Sequence, residues 1–530
     1  MGTLWFGGTF YTMEQPGKSV EAVYVVDGYI KAVGTEKEII ETYKDEIEEQ
    51  RDIDGAYAFP GFIDSHLHMV GHGEKLIRLD LSNVTSAEEM KDLLVSKSSD
   101  AQPGEWIYGE GWNENNFPDR KIFHREELDE IAPHNPMMLT RVCRHAVLVN
   151  STALDAAKIN KTTTDPDGGV IVRDGVGTPT GYLLDSAQEL VKEVAPEVTE
   201  AYLEKALTTA VDDMFSLGLV GGHTEDLGYY GDVERPLQTF KKVIDGEKRK
   251  LRTHMLVHHT VVEDLLTRGY KIGEHSKFIE LGPMKIFADG ALGGRTALLS
   301  QPYNDAPETS GVAIHPLNEL KEMVRSARER KMAVAIHTIG DLALEYAIEA
   351  IETHPNNSTI RDRLIHIQVA REDLLERMFD LPVILDIQPR FVAADFPWVE
   401  ERLGFERLPL SFAWKTLLDK GLHCAGGSDA PIEPVDPLLG IHAAVTRKKP
   451  GESHEGYLPE QKLSIFEAVS LFTTGSAYAI GKEAKMGKVQ PGYVADFTLL
   501  DKDLFSIEPD EILDTKVVKT VVDNTIMYER

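Results

Sequence analysis

From about residue 200 onward the chain alternates between two textures. Short apolar runs occur at 219–223, 252–257, 284–289, 333–337, 364–368, 383–388 and 423–429, and a similar run at 59–66 brings the set to eight. Between them lie stretches whose apolar residues recur at helical spacing, at 202–217, 317–330, 342–352, 371–379 and 410–420. Apolar strands alternating with amphipathic helices predict parallel βα units. Eight such units predict a TIM-like (β/α)8 barrel of the α/β class.

The two ends have a different pattern. Residues 23–26 and 29–33 flank Asp27-Gly28, and residues 517–522 and 525–528 flank Asp523-Asn524. Both pairs read as β-hairpins with two-residue turns. A charged amphipathic helix is expected over about 37–50, and a strand over 494–500. The strand-rich ends predict one composite β-sandwich built from 1–59 and 484–530, with the barrel over 60–483. The gap between the first and second barrel runs, about 70–200, is far longer than a normal crossover. It predicts an inserted subdomain after strand one, with Trp106, Trp112 and Phe117 available to wall a small-molecule pocket.

Composition narrows the function class. The 530 residues carry a formal net charge of −31, which argues against nucleic-acid binding. No run approaches the roughly 20 apolar residues that span a bilayer, and the N-terminus lacks the pattern of a signal peptide. With only Cys143 and Cys424, a disulfide framework is excluded. A cytoplasmic location is the expectation. The oligomeric state stays open, with a homodimer among the options.

Candidate chemistry gathers at the ends of the apolar runs. In an extended segment, residues two apart point the same way, so His66 and His68 project together from the first run. Lys285 lies in the fourth run, His337 in the fifth, His366 in the sixth and Asp429 in the eighth. In a (β/α)8 barrel the C-terminal strand ends form the reactive face, so this register predicts one metal-binding constellation. Most of the chain's other histidines read as packed or hydrogen-bonded residues, His223, His254, His258 and His259 among them. The glycines in Cys424-Ala-Gly-Gly-Ser-Asp429 allow close backbone approach before the aspartate.

These residues sit in motifs that resemble the amidohydrolase superfamily, and more narrowly amidohydrolase family 3, which includes N-substituted formamide deformylases. The motifs are Pro-Gly-Phe-Ile-Asp-Ser-His-Leu-His (60–68), Met-Lys-Ile-Phe-Ala-Asp-Gly-Ala-Leu-Gly-Gly-Arg-Thr-Ala (284–297), Ala-Ile-His-Thr-Ile-Gly-Asp (335–341), Leu-Ile-His (364–366) and Gly-Gly-Ser-Asp-Ala-Pro (426–431). Gly-Lys-Val-Gln-Pro-Gly-Tyr-Val-Ala-Asp (487–496), Gly111-Trp-Asn-Glu114 and His145…Asn150-Ser-Thr-Ala-Leu extend the likeness over the whole chain.

The resemblance implies a divalent-metal hydrolase of a C–N bond in a small molecule: an amide, a formamide or a cyclic amide. It implies His66, His68 and Asp429 around one metal and His337 and His366 around another. Lys285, carboxylated by carbon dioxide, would bridge the two. A desolvated lysine can become neutral and nucleophilic, which suits that chemistry; the alternative is a plain lysine paired with Asp289. Zinc suits imidazole ligands, with iron, nickel and manganese open. Asp429 is the expected proton acceptor. Arg295 is a candidate for an anionic substrate group, and Trp112, Glu114 and His145 for the pocket wall. The alternatives are a mononuclear aminohydrolase (deaminase) and a non-catalytic scaffold with the same barrel. Lys285 in its Met-Lys-Ile-Phe setting argues against the first, and the complete ligand set against the second.

Overall fold

Eight parallel strands form the barrel: β1 (Phe62–Leu67), β2 (Leu219–Thr224), β3 (Arg252–His258), β4 (Ile279–Phe287), β5 (Val334–Thr338), β6 (Asp362–His366), β7 (Val383–Ile387) and β8 (Cys424–Gly426). They lie side by side in chain order, as right-handed βα crossovers require. The computed structural model describes residues 2–141, 146–166, 169–196, 198–358 and 360–530. The chain divides into two units, one of Met1–His72 with Ala210–Arg530, the other of Gly73–Thr209. Among the described residues no helix is long and apolar enough to cross a membrane.

The first apolar run is two strands, not one. Tyr57–Pro60 pairs with the sandwich strands Phe497–Leu500 and Thr9–Tyr11, whereas β1 starts at Phe62 and pairs with β2. Gly61 separates them: a Cβ there would lie 2.4 Å from a methyl of Val220. The chain therefore passes from sandwich to barrel within one residue.

The sandwich combines a four-stranded sheet from the N-terminal segment with a six-stranded sheet drawn from both ends. Trp5, Phe10, Phe497 and Val521 meet in its core. Both hairpin turns have left-handed backbone at their two central residues, with φ of 51° and 80° at Asp27-Gly28 and 52° and 59° at Asp523-Asn524. That twist matches the flanking strands. The helix expected over 37–50 stops early, at Glu36–Tyr43. Glu49–Asp52 forms instead a polar strand parallel to Gly2–Phe6. Backbone pairing holds this edge strand, so its side chains carry no hydrophobic signal.

The Gly73–Thr209 unit has a six-stranded sheet of its own and a separate apolar core. Trp112 is fully enclosed in that core, and its indole N–H donates to the Leu139 carbonyl at 2.9 Å. The aromatic therefore packs the insertion and is not a pocket wall.

β8 and β1 close the ring through residues just past their ends. The Asp429 N–H donates to the His66 carbonyl and the His68 N–H to the Ala430 carbonyl, both at 2.7 Å. Gly427 makes this approach feasible: a Cβ on it would lie 2.6 Å from the His66 nitrogen and 2.9 Å from Asp64 Oδ1. We expect Gly427→Ala to force these strands apart and to cost about 1–3 kcal/mol in denaturant unfolding. Gly175→Ala, at a turn where nothing lies within 4 Å of the new methyl, should stay within about 0.5 kcal/mol of the parent. Equal stability of the two variants would contradict this account of closure.

Candidate metal centre

The closure contacts also set the geometry of the first three candidate ligands. Asp64 is fully buried and accepts the His66 N–H at 2.9 Å and the Ser428 hydroxyl and N–H at 2.6 and 3.0 Å. It thus ties β1 to the loop that carries Asp429. Burial pushes the Asp64 carboxyl up to about 7, against the pull of those donors. Asp429 has φ of 57°, a left-handed conformation that aspartate tolerates better than most residues. Its Oδ1 stands 3.5 Å from both His66 Nε2 and His68 Nε2. The ligand atoms of His66, His68 and Asp429 lie within 4.8 Å of one another, a group that could hold a metal ion.

His337 and His366 are adjacent, with ring centroids 4.5 Å apart, and the His366 ring is 5.6 Å from that of His66. His366 and Ile367 have left-handed backbone, with φ of 78° and 45°. For a β-branched residue such as Ile367 this is a strained conformation, and such strain clusters at functional sites. The Ile367 and Val369 N–H groups hold it in place by donating to the Thr338 and Ile339 carbonyls. Lys285 is fully buried, with Nζ 3.3 Å from His66 Nε2 and 4.6 Å from the centre of the Phe287 ring. Asp289 does not pair with it. That carboxylate accepts the N–H groups of Leu298, Ile339 and Gly340.

Three of the histidines have one ring nitrogen committed as a donor. His68 Nδ1 donates to the Glu225 carbonyl at 2.6 Å and His337 Nε2 to the Gly290 carbonyl at 3.1 Å. His366 Nδ1 lies 2.7 Å from Gln388 Oε1, and the Gln388 amide nitrogen faces the Asp386 carbonyl, which orients the amide. In the His337 and His366 rings the other nitrogen is left as a lone pair, whereas Nε2 of His68 faces Asp429 at 3.5 Å. A second partner that fixes the tautomer in this way is the usual support of a metal-binding histidine.

Electrostatics favours the neutral, ligand form at three of the four histidines. Burial, with the Lys285 charge nearby, lowers His66 and His366 well below the ordinary histidine value and His337 to about 3. These are neutral imidazoles, as metal binding requires. Burial also pulls on His68, but Asp429, Glu225 and Asp226 outweigh it and raise this histidine to about 9. Burial lowers Lys285 to about 8, despite Glu225, Asp429 and Asp386.

The structure gives three of the remaining candidates other partners. Arg295 forms an ion pair with Asp305 at 2.7 Å, on a carboxylate that also meets Arg402. Its charge is spent in a partly exposed loop. Glu114 forms a two-bond pair with Arg141, both at 2.8 Å, which holds its carboxyl below the usual range. Trp112 belongs to the insertion's core. His145 lies outside the described residues. Conversely, the sequence reading passed over Glu225 and Gln388. Glu225 follows β2 directly and is fully buried, and the strand-end rule that found the histidines would also have marked it.

Comparisons with known proteins place the chain among relatives. The sequence profile of the amidohydrolase family matches residues 49–528. YtcJ of Bacillus subtilis, whose name calls it an amidohydrolase, is 48% identical over the full length of both chains. An N-substituted formamide deformylase of Arthrobacter pascens is 27% identical, covering 98% of this chain and 97% of its own. A metal-dependent hydrolase from Pyrococcus horikoshii superposes with a TM-score of 0.81 at 28% identity, covering 96% of this chain and 99% of that one. The barrel, the composite sandwich, the strand-end ligand group and a profile match over nearly the whole chain lead to one assignment: this protein belongs to the amidohydrolase family.

Proposed function

We propose that the protein is a metal-dependent hydrolase that cleaves the C–N bond of a small amide, formamide or cyclic amide. The observation that carries this reading is the gathering of four histidines, Asp429 and Lys285 at the strand ends, with Asp429 Oδ1 3.5 Å from Nε2 of both His66 and His68 and Lys285 Nζ 3.3 Å from His66 Nε2. The donor set fits divalent cations, and zinc fits it best because most of the donors are imidazoles. His66, His68 and Asp429 would hold one cation and His337 and His366 a second. Bound there, cations supply water acidification and carbonyl polarisation.

The protein's own residues do the rest. Asp429 accepts the proton of the attacking water and returns it to the leaving nitrogen. Its left-handed backbone, locked by the closure contacts, aims the carboxylate at His66 and His68. Asp64 and Gln388 hold the ligand-bearing segments, so the group is ordered before substrate arrives. Lys285, with a lowered pKa in an enclosed site, has a neutral fraction near pH 8. Its amine can add to carbon dioxide and lose a proton, leaving a carbamate oxygen ligand between the two groups. The likeness to an N-substituted formamide deformylase supports N-formyl compounds as the first class to test. A small-molecule substrate is part of this proposal.

The direct test is turnover of N-formyl, N-acyl and cyclic amides by zinc-loaded protein. Release of an amine from at least one class is expected. Release of ammonia from aminated heterocycles, with no amide turned over, would favour the aminohydrolase alternative.

Two variants probe the roles separately. Asp429→Asn should lower turnover by about 10²–10⁴, because an amide cannot accept the proton. Metal content should fall far less, since the amide oxygen remains a donor. Near-normal turnover would place the base elsewhere. Lys285→Ala should abolish activity, and short carboxylic acids should partly restore it by filling the space of the carbamate. A variant that is fully active without such acids would exclude the carbamate.

A further inference from the structure

The candidate ligands lie at or near the ends of β1, β4, β5, β6 and β8, and β7 is followed by Gln388, which holds His366. That leaves β2 and β3. In a (β/α)8 barrel their C-terminal ends open on the same reactive face. Glu225 and Tyr229 follow β2, and His258 ends β3.

The end of β2 is tied to β1 around His68. The Glu225 N–H donates to the Leu67 carbonyl at 3.0 Å, and the Glu225 carbonyl accepts from His68 Nδ1. The Glu225 carboxylate is fully buried and accepts the Tyr229 hydroxyl. This bond sets the Tyr229 ring 5.8 Å from the ring of His68 and 5.8 Å from that of His258. Gly228 makes room for the turn, since a Cβ there would lie 2.8 Å from His258 Cβ and Cγ. Tyr229 nevertheless stays 47% exposed. A tyrosine whose hydroxyl is satisfied and whose ring is open offers an apolar face.

His258 is the register partner of Lys285 across β3 and β4, so the two side chains leave their strands on one side. Its ring lies 5.9 Å from that of Phe287, which in turn lies 5.2 Å from that of His337. Tyr229, His258 and Phe287 thus form a row of rings between His68 and His337. The Thr260 N–H donates to His258 Nδ1 at 3.3 Å, with the Thr260 hydroxyl 2.7 Å from the same nitrogen. A backbone N–H can only donate, so Nδ1 is an acceptor and the ring hydrogen sits on Nε2. Nε2 has no hydrogen-bond partner among the described residues. The ring is half-buried, and Nε2 is not closed off from solvent as His66 Nδ1 is. It is a donor of fixed tautomer, open at the face where the ligands gather.

We propose that His258 is a substrate-binding residue: its Nε2–H donates to an acceptor atom of the substrate, a carbonyl oxygen in the amides named above, while the Tyr229 ring packs against an apolar part of the same molecule. The inference rests on the metal-hydrolase reading of this site. Glu225 acts through Tyr229 and His68, as a positioning residue.

The test uses full-length, zinc-loaded protein and whichever compound it turns over best among the amides and aminated heterocycles. His258→Phe keeps a ring and removes the donor. It should lower kcat/KM by about tenfold or more, the loss of one hydrogen bond to substrate. His258→Gln should recover most of that loss, because its amide nitrogen is again a donor. Tyr229→Ala should raise KM with little change in kcat, whereas Tyr229→Phe, which keeps the ring, should not. Metal content should match the parent in all four variants. Calorimetry on zinc-loaded Asp429→Asn protein reads binding without turnover: adding His258→Phe should raise Kd about tenfold for the same compound, or for an N-formyl amide if none is turned over. Turnover of aminated heterocycles alone would overturn the amide reading and leave this comparison intact. Parental kcat/KM and Kd in His258→Phe would show that the ring only packs and would overturn the proposal. Loss of metal from that variant, or equal losses of kcat/KM in the Phe and Gln variants, would make His258 a support of the metal centre and overturn it too. So would absence of binding by any of these compounds.

Discussion

Everything at the candidate metal centre depends on the closure of the barrel between its first and last strands. β8 is short, and the chain beyond it must meet β1 backbone to backbone. Asp64 and Gly427 make that meeting possible, one by binding Ser428 and the other by having no side chain. Two ligand-bearing segments are thereby held at a fixed separation, with Asp429 bonded through its N–H to the carbonyl of His66 itself. A metal group assembled from distant parts of a chain needs such a clamp, because side-chain freedom of a few tenths of an ångström would blur its coordination.

The same region concentrates ionisable groups that are expensive to bury. Arg363 and Asp386 form a wholly enclosed pair at 2.6 Å, and the guanidinium also donates to the Ser65 carbonyl of β1. Asp64, Lys285, His66 and His366 are buried and their pKa values move toward the neutral forms, while Asp429 and Glu225 hold the half-buried His68 toward its charged form. A hydrophobic barrel centre would be the more stable solution. Retaining this polar interior makes sense as a function: neutral imidazoles with committed tautomers and a lysine lowered toward neutrality are groups prepared to bind cations and carbon dioxide.

The barrel was readable from sequence because burial on both faces leaves near-continuous apolar runs, and all eight were visible. The two hairpin turns were readable from Asp-Gly and Asp-Asn, residues that accept left-handed backbone. The polar strand Glu49–Asp52 was not, since its pairing is a backbone property. At the site, register along the runs brought out the six candidate ligands. It could not bring out Gln388, whose importance lies in the His366 ring that it touches, although the same strand-end position marks Glu225. Trp112 and Arg295 were ambiguous in sequence for a related reason. An aromatic packs a core or walls a pocket according to its neighbours, and an arginine recognises an anion only if no local carboxylate, here Asp305, has taken it first.

The measurement that tests the account most directly is X-ray diffraction from crystals of metal-loaded protein, with data collected on both sides of the absorption edge of the bound metal. The account predicts two anomalous peaks, one among His66, His68 and Asp429 and one between His337 and His366, with density continuing from Lys285 Nζ to both. An anomalous map with no peak at these residues, or with a single peak and an unmodified Lys285, would contradict it.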